Sequence, residues 1–261
     1  MGISNDNIIY FTCFRINYLT DQGLPSMAKI MPFSEENRYL AQEFLMKDPY
    51  KNTIMSSLLE ESGKNSMVIY DNGVIRGIMA VSPDYRNLWF YGNRAAFKTV
   101  IDNMGYSEFN LYIDQKNLDI ALARFNFSIT KVLVMRLKIR DYNGTSQPAV
   151  KLKNEEITLY GESFGYIPEF PDTFVQFRGG SIVAAGSVIS TNSRSCAIGS
   201  IRYIEGSENS ISNIISATVA EYKNQTENIV VYLDYDDKIK SILEKEGFIF
   251  TAELIKLHQK I

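Results

Sequence analysis

The pattern of apolar and polar positions in this chain is written twice. Residues 109–137 read FNLYIDQKNLDIALARFNFSITKVLVMRL, and residues 229–257 read IVVYLDYDDKIKSILEKEGFIFTAELIKL. Each stretch predicts an apolar strand ending in an acidic turn, an amphipathic helix, a turn built on a small residue and Phe, and a second strand. Asp114 answers to Asp234 and Leu137 to Leu257, both 120 positions apart (234−114 and 257−137), with one residue of slippage between. A second motif recurs upstream of each copy. Residues 66–77 and 173–184 both read strand, tight turn, strand, with Asn72-Gly73 and Gly179-Gly180 at the turns. Such dipeptides supply the positive φ that a two-residue hairpin needs. These turns are 107 positions apart (180−73), so the second half is 13 residues longer (120−107) between its hairpin and its later strand. A repeat of this length predicts two similar domains rather than a short-period solenoid.

The remaining pattern fills in both halves. Ser34 followed by Glu35, Glu36 and Asn37 predicts a capped helix start, with Tyr39, Leu40, Phe44 and Leu45 as its apolar face and Asp48-Pro49 as its end. Asn52 caps a second helix, with Ile54, Met55, Leu58 and Leu59 on one face and Gly63 as its stop. A strand is expected over 88–91 and a helix over 95–104. In the second half, 154–163 fits helix or extended chain equally. Strands are expected over 173–178, 181–190 and 197–204, a loop over 205–210, and a helix over 211–223 with Ile211, Ile214, Ile215, Thr218 and Tyr222 inward. The polar, turn-rich segment 141–148 is the one clear linker. It divides the chain into an appendage at 1–26, a first domain at 27–141 and a second at 148–261. The apolar run at 8–14 has no basic segment before it and no small-residue cleavage site after it, so it reads poorly as a signal peptide.

Composition narrows the classes. With 261 residues, 45% of them hydrophobic, both halves have the material for a packed core. A net charge of −3 from 27 basic and 30 acidic residues gives no basic stripe for nucleic acid. No apolar run approaches the roughly 20 residues of a membrane span, so no membrane association is expected. Cys13 and Cys196 lie in different regions with no metal-type spacing, which fits a reducing cytoplasm and predicts no metal. The one histidine, His258, is among the last four residues, a poor place for a buried catalytic group.

The order helix, helix, hairpin, strand, helix, strand, helix, strand carries a family resemblance. Val231-Tyr232-Leu233-Asp234, followed by Ile242-Leu243-Glu244-Lys245-Glu246-Gly247-Phe248, resembles the late strand and the "Y-E-K-x-G-F" turn of the GNAT superfamily of N-acetyltransferases. The segment 44–52, FLMKDPYKN, with Leu58-Leu59-Glu60 after it, resembles the start of tandem members, where a degenerate GNAT-like half precedes the acyl-transferring half. The resemblance spans residues 28–257. It implies an α/β (α+β) fold of two tandem GNAT-like domains, each a mixed, largely antiparallel sheet flanked by helices. It implies acyl transfer from acetyl-CoA, as co-substrate, to a small-molecule or peptide amine. The alternative is a catalytically inactive GNAT-like protein that binds a small ligand or a protein partner.

The longer loop assigns the site to the second half. The family holds the CoA pyrophosphate on a Q/R-x-x-G-x-G/A loop, where backbone N–H groups at a helix start approach the phosphates. The matching stretch here, 205–211, reads EGSENSI: small and polar, with two carboxylates and no arginine. The resemblance implies that Ile201, Tyr203, Gly206, Ser207, Asn209, Ser210 and Asp236 contact CoA in a cleft between strands 197–204 and 229–234. It implies Tyr203 and Glu205, where strand meets loop, as the groups that take the amine proton; a plain surface pair is the other reading. The family's tyrosine acid maps onto Leu243, which cannot donate a proton, and Tyr235 is the nearest hydroxyl that would replace it. The cluster Asp234, Tyr235, Asp236, Asp237 would hold a cationic amine or cap the next helix. Glu162 and Glu169 flank an aromatic stretch that borders an acceptor pocket or forms a solvated loop. In the first half, Gly92-Asn93-Arg94-Ala95-Ala96 offers amides and an arginine, or an ordinary strand–helix turn.

Overall fold

The structure is a computed structural model that describes residues 10–11, 14–15, 28–83, 86–105, 108–144, 149–168, 172–192 and 194–259. Cys13, Glu169, the linker residues 145–148 and the rest of the 1–26 appendage lie outside the described residues. Within that appendage, β1 (Tyr10–Phe11) and β2 (Phe14–Arg15) pair antiparallel.

The chain forms two compact units, residues 1–131 with 254–261, and residues 132–253. Up to the boundary the elements are β3 (Lys29–Pro32), α1 (Glu35–Leu45), α2 (Thr53–Ser62), β4 (Met67–Asp71), β5 (Val74–Val81), β6 (Asn87–Gly92), α3 (Arg94–Asn103), β7 (Phe109–Ile113), α4 (Leu118–Leu122) and β8 (Phe127–Lys138). Then follow β9 (Val150–Lys151), α5 (Ile157–Phe164), β10 (Thr173–Arg178), β11 (Ser181–Thr191), β12 (Ser195–Tyr203), α6 (Ser210–Tyr222), β13 (Asn228–Asp234), α7 (Asp237–Lys245) and β14 (Ile249–Gln259). Strand order in the first unit is β3-β4-β5-β6-β7-β14, and in the second β9-β10-β11-β12-β13-β8. Both are antiparallel except at one place, β6/β7 and β12/β13, which are parallel. The two halves therefore have one plan, and Asp114 and Asp234 stand at equivalent strand ends, as the repeat predicts.

One feature of connectivity departs from the sequence division. The last strand of each half completes the other unit's sheet: β8 pairs β13, with Leu137 opposite Ile229, and β14 pairs β7, with Leu257 opposite Leu111. The compact units consequently divide inside β8 and β14, at 131/132 and 253/254, rather than in the polar segment 141–148. The polar segment marks where the repeat restarts; the strand pairing determines where each sheet is complete.

Local chemistry explains the elements. The turns Asn72-Gly73 and Gly179-Gly180 all have positive φ (51°, 75°, 59° and 83°), as two-residue hairpins require. The segment left open at 154–163 is helical from Ile157, and Gly165 (φ 79°) ends that helix in the left-handed conformation. The inner face of α1 is the expected one at its end, where Leu45 is buried and Phe44 packs half-buried against the core, but not at its start. Tyr39 and Leu40 are 74% and 49% exposed, whereas Asn37, Ala41 and Leu45 are buried. Asn37 explains the rotation: its side chain accepts from the Ser34 N–H (2.9 Å) and donates to the Pro32 carbonyl (3.0 Å), and this capping pins the Asn37–Ala41–Leu45 stripe inward. In the second unit all five residues expected to line α6 are buried. One face of that sheet packs on α6 and α7, with Ile198, Ile201, Ile214, Ile229 and Leu243 in its core. The other packs on α5 through Tyr160, Val175, Ile182 and Ala185.

Candidate functional site

The parallel strands of the second unit separate. β12 and β13 are in register from Ser195↔Asn228 to Ile198↔Val231, and there the pairing stops. Both strands run on, β12 to Tyr203 and β13 to Asp234, each still paired on its outer edge to β11 and β8. The separation starts where β11 and β12 are irregular. Ile198 pairs with Val188 and Ser200 with Ser187, so Gly199 has no partner; Ile189 on β11 is skipped in the same way. Extra residues of this kind bend a strand and increase its twist. Glycine fits the Ile189 side chain here: a Cβ at Gly199 would come within 2.2 Å of Ile189 Cδ1, and Ile189 would have to move. A wedge results whose walls are backbone, and backbone groups without ladder partners need water or a ligand.

The wedge ends at the loop 204–209. Ile204 donates its N–H to Val183 (2.8 Å), and the Ser207 N–H returns to the Ile204 carbonyl (2.9 Å), with Gly206 between them at φ 81°. Ser210 and Ile211 N–H groups close on the carbonyls of Ser207 (2.9 Å) and Glu208 (3.0 Å), and α6 begins. Ser207 and Ser210 are buried, while Glu205, Gly206 and Asn209 are exposed. Glu208 already acts as the anion of this loop. The backbone N–H of Glu208 itself, then that of Gly206, hold its carboxyl below the usual carboxylate range, and the Lys238 ammonium stands 3.6 Å away. Arg178 at the end of β10 donates to Ser207 Oγ at 3.4 Å.

Tyr203 and Asp236 meet beside this loop. The phenol donates to Asp236 Oδ2 at 3.4 Å, and burial, followed by the Asp236 charge, pushes its pKa up. Asp236 is also the cap of α7, accepting from the N–H groups of Lys238 (2.9 Å) and Ile239 (3.1 Å). Of the acidic cluster it is therefore Asp236 that caps the helix. Asp234, the last residue of β13, and Tyr235, just beyond it, are exposed. Ile201 is buried among the α6-side core residues. Glu205 makes no hydrogen bond or ion pair to any described residue. The structure thus gathers Tyr203, Asp236 and the loop 206–210, and leaves Glu205 and Tyr235 at the surface. Leu243 is fully buried in the α6/α7 core. Sequence reasoning missed Arg178, Lys238 and the Gly199 bulge. Arg178 is 29 residues from Ser207, and no spacing rule connects them.

The corresponding place in the first unit is filled by side chains. The β6/β7 ladder ends at Trp89↔Tyr112, whose rings stack at 4.9 Å. Beyond it Lys51 bridges the two strand ends: its ammonium lies 5.2 Å from the Tyr91 ring centre and pairs with Asp114 and, at 3.5 Å, with Asp48. Gly92-Asn93-Arg94 is an ordinary turn. Asn93 caps α3 by accepting from Ala96 N–H (2.8 Å), and Arg94 is committed to Asp119 (2.7 and 2.8 Å), lowering that carboxyl to about 2.

No protein-family model and no curated protein matches the chain. Solved structures do match in fold. A GCN5-related N-acetyltransferase from Sphaerobacter thermophilus aligns with 91% of this chain and 96% of its own at 11% identity, with a TM-score of 0.61. A Drosophila protein aligns with 90% of this chain and 99% of its own at 9% identity (TM-score 0.65). A tandem GNAT protein from the clavulanic acid biosynthesis pathway aligns with 90% and 98% at 11% identity (TM-score 0.54). The chain has the tandem GNAT fold.

Proposed function

We propose that the second unit is an acyl-CoA-dependent N-acyltransferase site, moving an acetyl group from acetyl-CoA to a small-molecule or peptide amine. One observation carries this reading: the parallel ladder stops at Ile198↔Val231 while both strands continue, with a glycine bulge at the point of separation. The unpaired edge of 199–203 offers backbone groups to a pantetheine amide chain. Gly206, Ser207, Asn209 and Ser210 are the residues that would face the diphosphate, with Arg178 and Lys238 supplying the positive charge that the loop itself lacks. In this reading Ile201 shapes the wall, and Asp236 acts through Tyr203 and the α7 start.

The chemistry asks for little. The amine nitrogen attacks the thioester carbonyl, the oxyanion is held by a strand N–H near the bulge, and the C–S bond breaks as the thiolate takes a proton. Glu205, exposed at the strand end, suits proton removal from the amine through water. Tyr203, its pKa raised, stays protonated near neutral pH and suits donation; Tyr235 is a second hydroxyl for the departing thiolate. A second reading, binding without transfer, is favoured by the burial of Leu243 where the family has its acid.

The test is acetyl-CoA added to the native protein, with thiol release followed in the presence of an amine panel. Binding stabilises by about 2.7 kcal/mol at a hundredfold excess over Kd. A raised melting temperature with thiol release supports transfer, a raised melting temperature alone supports binding without transfer, and no change removes the acyl-CoA site and leaves the non-catalytic reading. Glu208→Gln should tighten CoA binding a few-fold by calorimetry, more at low salt, because the loop then releases a charge within roughly a Debye length, about 8 Å, of the phosphates. Unchanged affinity would mean that the diphosphate does not use this loop.

A further inference from the structure

We infer that Arg202 and Tyr166 form a subsite for a carboxylate carried by the acceptor, so that the substrate is an amine bearing its own acid group, such as an amino acid with an apolar side chain. The inference rests on the acyl-transfer reading above and names the acceptor class for that site.

Arg202 sits one residue before Tyr203 but on the other side of the sheet. It pairs with Ala185, which belongs to the α5-side core, whereas Tyr203 pairs with Ala184, which belongs to the α6-side core. Successive residues of a strand face opposite ways. Arg202 is therefore turned away from the α6 side and serves another ligand group than the diphosphate.

The guanidinium is held in place. Its Nε donates to the Tyr166 hydroxyl at 3.0 Å, and its carbon lies 5.7 Å from the Tyr166 ring centre. Tyr166 is in turn fixed by Tyr160, which is 1% exposed, donates to the same hydroxyl at 3.2 Å and meets the ring edge-on at 5.7 Å. The Tyr166 oxygen thus receives two hydrogen bonds and keeps its own proton to give. Among the described residues nothing accepts that proton, and no carboxylate or carbonyl accepts from the two terminal nitrogens of Arg202. A planar fork and a phenol O–H, both exposed and both open to a ligand acceptor in place of water, match the two oxygens of a carboxylate. Apolar residues adjoin both in sequence: Ile204, two residues after Arg202, is 39% exposed, and Ile167, next to Tyr166, is 67% exposed. An aliphatic side chain would rest there. The aromatic stretch 164–168 thus reaches β12 through Tyr166 rather than through Glu162.

The experiment is calorimetric titration of leucine, leucinamide and 3-methylbutylamine into the native protein, with and without CoA. Leucine should bind about tenfold more tightly than either analogue, the scale expected for a charge-assisted bidentate contact. Arg202→Gln should abolish that preference, Arg202→Lys should keep part of it, and Tyr166→Phe should weaken leucine alone by a few-fold. Equal binding of leucine and leucinamide, a preference that survives Arg202→Gln, or no leucine binding at millimolar concentration would each overturn the inference. CoA titrated into the same proteins is a separate readout. Its affinity should be unchanged in Arg202→Gln, and failure of CoA to bind the native chain would sink the acyl-CoA reading without touching the leucine result.

Discussion

A chain ending at Glu253 is expected to lose the fold of its first unit, although the deleted residues lie at the far end of the sequence. The first sheet is incomplete without β14, whose Ile255 and Leu257 pair with Ile113 and Leu111. Leu254, Ile255 and Leu257 are 4%, 1% and 0% exposed. Burying such side chains contributes about 1.5–3 kcal/mol each. Together they amount to about 5–9 kcal/mol, the same size as the whole stability of a typical domain, about 5–15 kcal/mol. The chain has one tryptophan, Trp89, and it lies in the first unit, stacked on Tyr112 of the strand that would lose its neighbour. Its emission should shift to the red on truncation and its unfolding transition should disappear. A native emission spectrum and an unchanged transition would show that β14 is dispensable to the first sheet.

Leu243→Tyr should destabilise the second unit and should not create or raise acyl transfer. The sequence resemblance maps a proton donor onto this position, but its side chain is fully buried in the same core as Ile239 and Ile214. Overpacking a core of this kind costs about 1–3 kcal/mol. A buried hydroxyl without a partner adds about 1–3 kcal/mol. The expected result is a denaturant midpoint lowered by the equivalent of several kcal/mol, with thiol release no greater than in the native chain. Retained stability with increased release would mean that this face of α7 opens onto the reacting atoms.

Much of the fold was legible because local chemistry carries it. Asn72-Gly73 and Gly179-Gly180 announce hairpins through the backbone angles they alone accept readily, and the 120-residue repeat announces two similar units. The exchange of β8 and β14 was not legible. Alternation along 127–138 and 249–259 says that these residues pair, and says nothing of which strand they pair with. The α1 face is legible at Phe44 and Leu45 but not at its start, because Asn37, polar in sequence, is buried by its capping bonds while Tyr39 and Leu40 are left outside. At the site, the small-residue loop at the start of α6 is legible in the sequence, whereas the meeting of Tyr203 with Asp236, 33 residues apart, is not. Four acidic-cluster residues competed for the α7 cap, and only geometry distinguishes Asp236. Arg178 and the Tyr166–Arg202 pair are joined to the site by tertiary contacts over long sequence separations, which no local pattern encodes.

The opening between β12 and β13, and not its first-unit counterpart, is proposed to receive acyl-CoA. Hydrogen exchange of the native chain with and without saturating acetyl-CoA tests this proposal most directly, because these segments border the opening where the β12/β13 pairing stops after Ile198↔Val231. Slowed exchange is expected at residues 199–211 and 232–236, with 90–96 and 113–117 unchanged. Protection confined to 90–96 and 113–117, around Lys51 and Asp114, or no protection anywhere at millimolar acetyl-CoA, would contradict it.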